Sequence, residues 1–264
     1  MKDKRMFLGV NIDHIAVLRE ARKINDPDPL DALSIVKRSG ADQITIHLRE
    51  DRRHINDDDA QKIIENAHLP VNLECSINES MIEKALLLKP HRITLVPEKR
   101  EEVTTEGGLD VIKNFSKIEV IAKELKKAHI ELSLFIDPCT TMVERTFALR
   151  AEWIELHTGT YANVYAMLFS NLSRSKHSIP SLELDRGSLH VKLEEALHAL
   201  ETSANLAQKL GLKVAAGHGL NYHNVDAMKA ISPIIELNIG QSIISRSVFV
   251  GLDSAIKEMI GLLK

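Results

Sequence analysis

The chain has 264 residues, 44% of them hydrophobic and 27% charged, with a formal net charge of −3. That is enough apolar material for a sizeable core, and it excludes a disordered chain, which combines low hydrophobicity with high net charge. The slight acidic balance argues against a general nucleic-acid binder, which carries a basic excess, but it leaves room for anionic small molecules held by a few arginines.

Cys75 and Cys139 form neither a metal spacing nor a disulfide framework, so a cytoplasmic location is expected. The opening stretch Met1–Val10 is interrupted by Asn11, Asp13 and His14 before it reaches the roughly 7–15 apolar residues of a signal peptide. No segment approaches the roughly 18 apolar residues of a membrane span, and no membrane contact is expected.

In chain order, short apolar runs alternate with helical patterns. The first run is Phe7–Asp13, followed by an amphipathic stretch, Pro29–Arg38, with Gly40 as its stop. Gln43–Leu48 and Val71–Ser76 follow, then a helical Glu79–Lys89 ended by Pro90, then Arg92–Pro97. Val111–Ala128 has Ile112, Phe115, Ile118, Ile121 and Leu125 at helical spacing. Glu131–Ile136 and Trp153–Thr158 are the fifth and sixth runs. A helical Lys192–Leu210 stops at Gly211, and Lys213–Gly219, Ile234–Gly240 and a helical Ser254–Leu263 complete the chain.

The eight runs read as mostly apolar on both faces, as buried parallel strands do. Strand–helix alternation implies a parallel sheet. Eight units in this length imply a closed TIM (β/α)₈ barrel, expected as a single domain over 1–264. The polar segment Asn171–His190 reads as an insertion after the sixth strand: a surface insertion, or a lid or interface element.

Barrels of this kind place their chemistry at the C-terminal ends of the strands. Those positions here hold Asn11, Asp13 and His14; His47, Arg49 and His54; Glu74; Glu98, Lys99, Thr104 and Thr105; Asp137; Glu155 and His157; His218 and Gly219; and Asn238, Gly240 and Gln241. Six of the twelve histidines lie on or just after strand ends, a concentration that a purely structural use of histidine does not explain. Glu74 and Glu155 sit inside apolar runs, where a carboxylate either pairs with a cation or has a raised pKa suited to base work. Gly217, Gly219 and Gly240 fall where this fold binds phosphate, and Arg22, Arg49, Arg52 and Arg53 offer a second anion site. No metal site is expected, although Asp13, His14 and His47 would supply ligands if they converged.

The stretches Gly9–Ala16, Thr45–Ile55, Val71–Glu74, Leu95–Asp110, Ile154–Gly159, Ala216–Val225 and Glu236–Gly240 resemble the pyridoxine 5′-phosphate synthase family of the deoxyxylulose-dependent vitamin B6 pathway. The resemblance runs from Phe7 to the C-terminus, apart from the insertion. It implies condensation of 3-amino-2-oxopropyl phosphate with 1-deoxy-D-xylulose 5-phosphate to pyridoxine 5′-phosphate, phosphate and water. It also implies no metal or organic cofactor, extra helices around the barrel, and a homo-octamer.

By the same resemblance His47 and Glu74 are the first and second proton acceptors, His218 the proton donor and Glu155 a transition-state stabiliser. Asp13, His14, Arg49, His54 and Thr104 match contacts to the deoxyxylulose phosphate, and Asn11, Arg22, Gly219 and Gly240 match contacts to the amino-ketone phosphate. Gln241 departs from the family, in which Gly-His is expected after the eighth strand.

Two other functions compete: a sugar-phosphate isomerase or aldolase, and a barrel that binds a phosphorylated ligand without turnover. A Schiff-base aldolase needs a strand-end lysine, and only Lys99, in a loop, is available.

Overall fold

The computed structural model describes residues 5–98 and 107–264. Thr104, Lys99 and Thr105 lie outside the described residues.

The chain opens with β1 (Phe7–Asn11) and α1 (Asp13–Arg22), then a 3₁₀ turn, Pro29–Asp31, running into α2 (Ala32–Arg38). Next come β2 (Gln43–His47), α3 (Asp57–Asn66), β3 (Val71–Cys75), α4 (Glu79–Leu88) and β4 (Arg92–Leu95). α5 (Phe115–Lys127), β5 (Glu131–Ile136), α6 (Thr140–Ala148) and β6 (Trp153–His157) follow. α7 (Gly159–Phe169) and α8 (Arg186–Leu210) then lead to β7 (Lys213–Gly217). α9 (Asp226–Lys229), β8 (Ile234–Ile239), α10 (Gln241–Val250) and α11 (Leu252–Leu262) close the chain. The strands form a closed parallel barrel in sequence order, with β8 returning to β1.

Most strands end one or two residues before the apolar run does, because Asp13 already opens α1 and Ser76, Thr158 and Gly240 belong to the rim turns. The expected Pro29–Arg38 helix divides at Ala32 into a 3₁₀ turn and α2, and the helix expected from Val111 starts at Phe115.

The larger difference lies in the faces of the strands. Leu8, Val10, Ile44, Ile46, Leu73, Ile93, Leu95, Leu134, Ile154, Leu156 and Leu237 are all fully buried in the main apolar cluster. The alternate positions are polar: Gln43, Thr45 and His47; Asn72 and Glu74; Arg92 and Thr94; Glu155 and His157; Glu236 and Asn238. Arg92 of β4 donates to Glu236 of β8 at 2.6 Å, and Gln43 of β2 reaches Glu236 and Asn238 at 3.2 and 3.3 Å. β4 and β8 are not neighbours in the barrel, so their bond crosses the lumen. Most strands are therefore apolar toward the helices and largely polar toward the barrel axis, where Phe135, Trp153 and Ala215 are the apolar inner residues of β5, β6 and β7.

Arg92 also stacks on Trp153, 3.6 Å from the ring centroid, and lies 3.6 Å from Glu131. Trp153 in turn donates its indole N–H to Glu131 at 2.9 Å.

The segment read as an insertion spans residues 171–190. It contains two 3₁₀ turns, Leu172–Arg174 and Pro180–Leu182, and its last residues already belong to α8. Asp185 caps α8 by accepting the Ser188 N–H at 3.0 Å, so the helix begins six residues earlier than the expected Lys192. At 25 residues α8 is roughly 37 Å long, about twice the span of the strand it leads into. Its second half, Ala196–Ala207, packs in the barrel core, whereas Leu189 joins Val164, Met167 and Leu168 of α7 in a separate cluster. α7 and the first half of α8 thus form a helical hairpin extending past the C-terminal rim.

Removing one partner of a buried ion pair strands the other charge. Glu236→Ala should therefore destabilise the fold by about 3–5 kcal/mol in urea unfolding, and the double variant Arg92→Met, Glu236→Leu should lose less than that single variant.

Candidate active site

The C-terminal rim surrounds a cavity of about 290 Å³. Asn11, His14, Glu74, Glu155, His218, Gly219, Gly240 and Gln241 line it, together with Val96, Phe135, Leu220, Asn238, Ile239 and Ser242. With Asn238, nine of the residues singled out in the sequence therefore meet around one space. Asp13, His47, Arg49 and His54 stand beside it, and Arg22 does not line it.

Glu74, on β3, is deeply placed. Burial, reinforced by the carboxyls of Glu155 and Asp13, pushes its pKa well above the usual carboxylate range. Its Oε2 lies 3.9 Å from His47 Nδ1. The other His47 nitrogen, Nε2, lies 2.9 Å from Glu98 Oε1. Burial works to raise the Glu98 carboxyl, but hydrogen bonds from His47 and from the Glu50 N–H hold it below its ordinary value. A carboxylate can only accept, so the His47–Glu98 contact places a ring proton on Nε2, and Nδ1 faces Glu74.

Asp13 fixes the backbone of this histidine. Its carboxylate accepts the His47 N–H at 2.9 Å and the Asn11 side-chain amide at 2.9 Å. Burial raises its pKa to about 6, opposed by His47 and by these hydrogen bonds. His54 sits edge-on to His47 with ring centroids 6.2 Å apart, and its Nδ1 accepts the Ile55 N–H. Burial, with help from His47 and Arg49, depresses its pKa to about 3. Burial likewise lowers the pKa of His14, whose Nδ1 is buried without a hydrogen-bond partner.

Across the cavity His218 has a left-handed backbone, φ 82°, which is rare and costly for a residue with a Cβ. The Thr158 hydroxyl holds that turn by donating to the Gly217 and His218 carbonyls at 2.7 and 2.5 Å. Burial, with the nearby His157, depresses the His218 pKa to about 4. The His157 ring lies edge-on at 5.0 Å, its Nδ1 3.0 Å from Asp137. Beside them Gly219 has φ 78° and Gly240 caps α10, where a Cβ would press on Asn11 at 2.8 Å. The first N–H groups of α10 and the bare backbone at Gly240 form a concave donor surface suited to an anion. Gln241, the first residue of α10, is exposed at its edge.

The arginine arc is less open than the sequence suggests. Arg52 is occupied by Asp57 at 2.8 Å, Arg53 pairs with Asp51 at 2.6 Å, and Arg49 lies 3.7 Å from Asp51. Arg22 is exposed on the last turn of α1. Arg19, which the sequence did not single out, binds Asp59 at 2.7 Å and the His54 carbonyl at 3.0 Å, fixing α1 against the turn that carries His54. Among the described residues no three His, Cys, Asp or Glu side chains group as metal ligands, so Asp13, His14 and His47 do not converge in that way.

Sequence reasoning also missed Glu98 as the partner of His47 and Asn238 as the partner of Glu155. Glu98 stands in the loop after β4, and only the meeting of that loop with the end of β2 reveals it.

The sequence profile of the family described as "Pyridoxal phosphate biosynthesis protein PdxJ" matches residues 8–264. The chain belongs to that family. It is 64% identical over 259 residues to the pyridoxine 5′-phosphate synthase of Aliarcobacter butzleri (strain RM4018), covering 98% of this chain and 99% of that one. It is 63% identical over 258 residues to the enzyme of the same name from Sulfurovum sp. (strain NBC37-1), covering 98% and 100%. Among solved structures, phosphoribosyl anthranilate isomerase from Thermococcus kodakaraensis superposes with a TM-score of 0.58 at 12% identity, covering 98% of this chain and 99% of that one. At that identity the likeness speaks for the barrel alone.

Glu155 supplies a test of the cavity's electrostatics. Burial raises its pKa to about 7, opposed by a hydrogen bond from Asn238. The folded protein thus favours the neutral carboxyl. Its contribution to stability is full below the ordinary pKa of 4.5 and is lost as pH rises through about 7. Glu155→Gln never ionises, so its thermal midpoint should exceed that of the parent at about pH 8, with the gap closing by about pH 5. A gap independent of pH would mean that Glu155 titrates normally.

Proposed function

We propose that the chain condenses 3-amino-2-oxopropyl phosphate with 1-deoxy-D-xylulose 5-phosphate to pyridoxine 5′-phosphate, with the rim residues as acid and base catalysts. The observation that carries the residue assignment is the placement of Glu74. It is a partly buried carboxyl with a raised pKa, facing Nδ1 of His47 on one side and the ligand cavity on the other. Joining the amine to a ketone requires loss of water, eliminating phosphate requires a proton taken from carbon, and ring closure requires further proton transfers. A base with a strongly raised pKa and a histidine beside it can serve such steps near neutral pH.

In this reading His47 and Glu74 accept protons, and Glu155 stabilises the charge that develops in the transition state. His218 donates a proton. Its depressed pKa leaves it neutral in the empty site, and a phosphate dianion bound nearby favours its charged form. The Gly219–Gly240 arc with Asn11 takes the amino-ketone phosphate. Asp13, His14, Arg49 and His54 face the deoxyxylulose phosphate, joined by Thr104, while Arg22 belongs with the first phosphate.

Arg22 is exposed and away from the cavity, so it fits that role through an assembled protein in which another copy presents it. Exposed Phe249 and Val248, 82% and 70% accessible, are apolar surface consistent with a homo-octamer. No helix among the described residues is long and apolar enough to cross a membrane, and a cytoplasmic location suits this chemistry.

Mixing the two substrates with the protein should release phosphate and form a product with pyridine absorbance. Glu74→Gln should lower kcat by about 10²–10⁴-fold with the fold intact by circular dichroism. Turnover close to that of the parent would remove Glu74 from the base role. If the phosphate at α10 is held through backbone N–H groups, Gln241→His should change the KM for the amino ketone by less than about threefold.

A further inference from the structure

Glu155 is a buried carboxyl whose orientation must be set by something. Among the described residues, its hydrogen bond is to Asn238, whose Nδ2 donates to Oε2 at 2.7 Å. The Asn238 amide is itself fixed from the opposite side. Its Oδ1 accepts from the Thr45 hydroxyl at 3.1 Å and from the Gln43 amide at 3.3 Å. With both donors on the oxygen, the amide cannot turn over without facing oxygen to the Glu155 carboxyl and its NH₂ group to other donors.

Two glycines make the arrangement possible. A Cβ at Gly9 would overlap Asn238 Oδ1, and a Cβ at Gly217 would overlap Glu155 Oε1. Alanine at either position would displace one of the two side chains. The charged groups around Glu155 are Glu74 from β3, Glu236 from β8 and Arg92 from β4.

We propose that Asn238 is a positioning residue for the reaction, oriented by Thr45, and that it holds the Glu155 carboxyl in the place from which it acts. The inference rests on the role given to Glu155 above. Asn238 also lines the cavity, but its amide is directed at Glu155, and its effect on the reaction runs through that carboxyl.

The test uses the full-length assembled protein and four variants: Asn238→Leu, Thr45→Val, Thr45→Ser and Glu155→Gln. Two readings are taken: kcat and KM for both substrates, and the infrared carboxyl titration of Glu155, assigned by the band lost in Glu155→Gln. Asn238→Leu removes the donor while roughly keeping volume. Its kcat should fall about tenfold or more with KM within about threefold, and the Glu155 midpoint should move up because the hydrogen bond to the charged form is gone. Thr45→Val should shift both readings in the same direction by less, and Thr45→Ser, which keeps the hydroxyl, should restore them.

The proposal is overturned if folded Asn238→Leu keeps kcat within about twofold of the parent and leaves the titration unmoved. It is also overturned if Thr45→Ser is as impaired as Thr45→Val, which would assign the effect to packing of the Thr45 methyl. Should Asn238→Leu fail to fold, the Thr45 pair decides. If the parent protein itself does not turn over the substrates, the reaction assignment fails, and the titration still decides whether Asn238 governs Glu155.

Discussion

The ion pair between Arg92 and Glu236 crosses the barrel lumen, and the arrangement above it depends on that crossing. Two charges withdrawn from water near the axis are tolerable when they pair closely, as these do at 2.6 Å, although Arg92 Nε makes no hydrogen bond. Trp153 stacks on the guanidinium, Glu131 lies 3.6 Å from its Nε, and Gln43 reaches the Glu236 carboxylate. From there polar contacts climb through Asn238 to Glu155, which faces the ligand cavity. An apolar lumen would support the same barrel and would give Glu155 nothing to be held by.

At the rim the same low-dielectric setting acts on several acids at once. Asp13 and Glu155 are buried, Glu74 is partly buried, and all three have raised pKa values. Burial is the main cause at Glu74, and the carboxyls of Glu155 and Asp13 add to it, because each ionised carboxylate makes the next harder to ionise. Glu98 behaves differently, held below its ordinary value by His47 and the Glu50 N–H, as Asp137 is by His157. That difference lets one carboxylate orient the histidine while another is free to exchange a proton.

Much of this was legible in the chain. The eight apolar runs located all eight strands, and nine of the residues singled out at their ends line the cavity. The polar lumen was also written there, as Gln43-Thr45-His47, Arg92-Thr94 and Glu236-Asn238 at a spacing of two. It was hidden because the interleaved Ile and Leu residues make each run look apolar throughout. The early start of α8 was signalled by Asp185 ahead of Ser188, a capping pair masked by the polar residues around it.

Partners across the barrel were not legible. The meetings of His47 with Glu98, Arg92 with Glu236, and Asn238 with Glu155 follow from closure and strand stagger, which no local pattern encodes. The arginine arc misled for a related reason. Sequence counts charges, whereas the structure shows Arg52 and Arg53 already taken by Asp57 and Asp51.

The hairpin of α7 and the first half of α8 carries its own small apolar cluster, separate from that of the barrel. Val164, Met167, Leu168 and Leu189 bury far less surface than the strands and helices below them, so the free energy that keeps the hairpin closed is correspondingly smaller. Amide protons near its tip then exchange with solvent through local opening, while those of β1–β8 wait for the whole barrel to unfold. The catalytic rim therefore has a border between two levels of cooperativity. It runs along α8 near Ala196, where one helix passes from the lesser cluster into the greater.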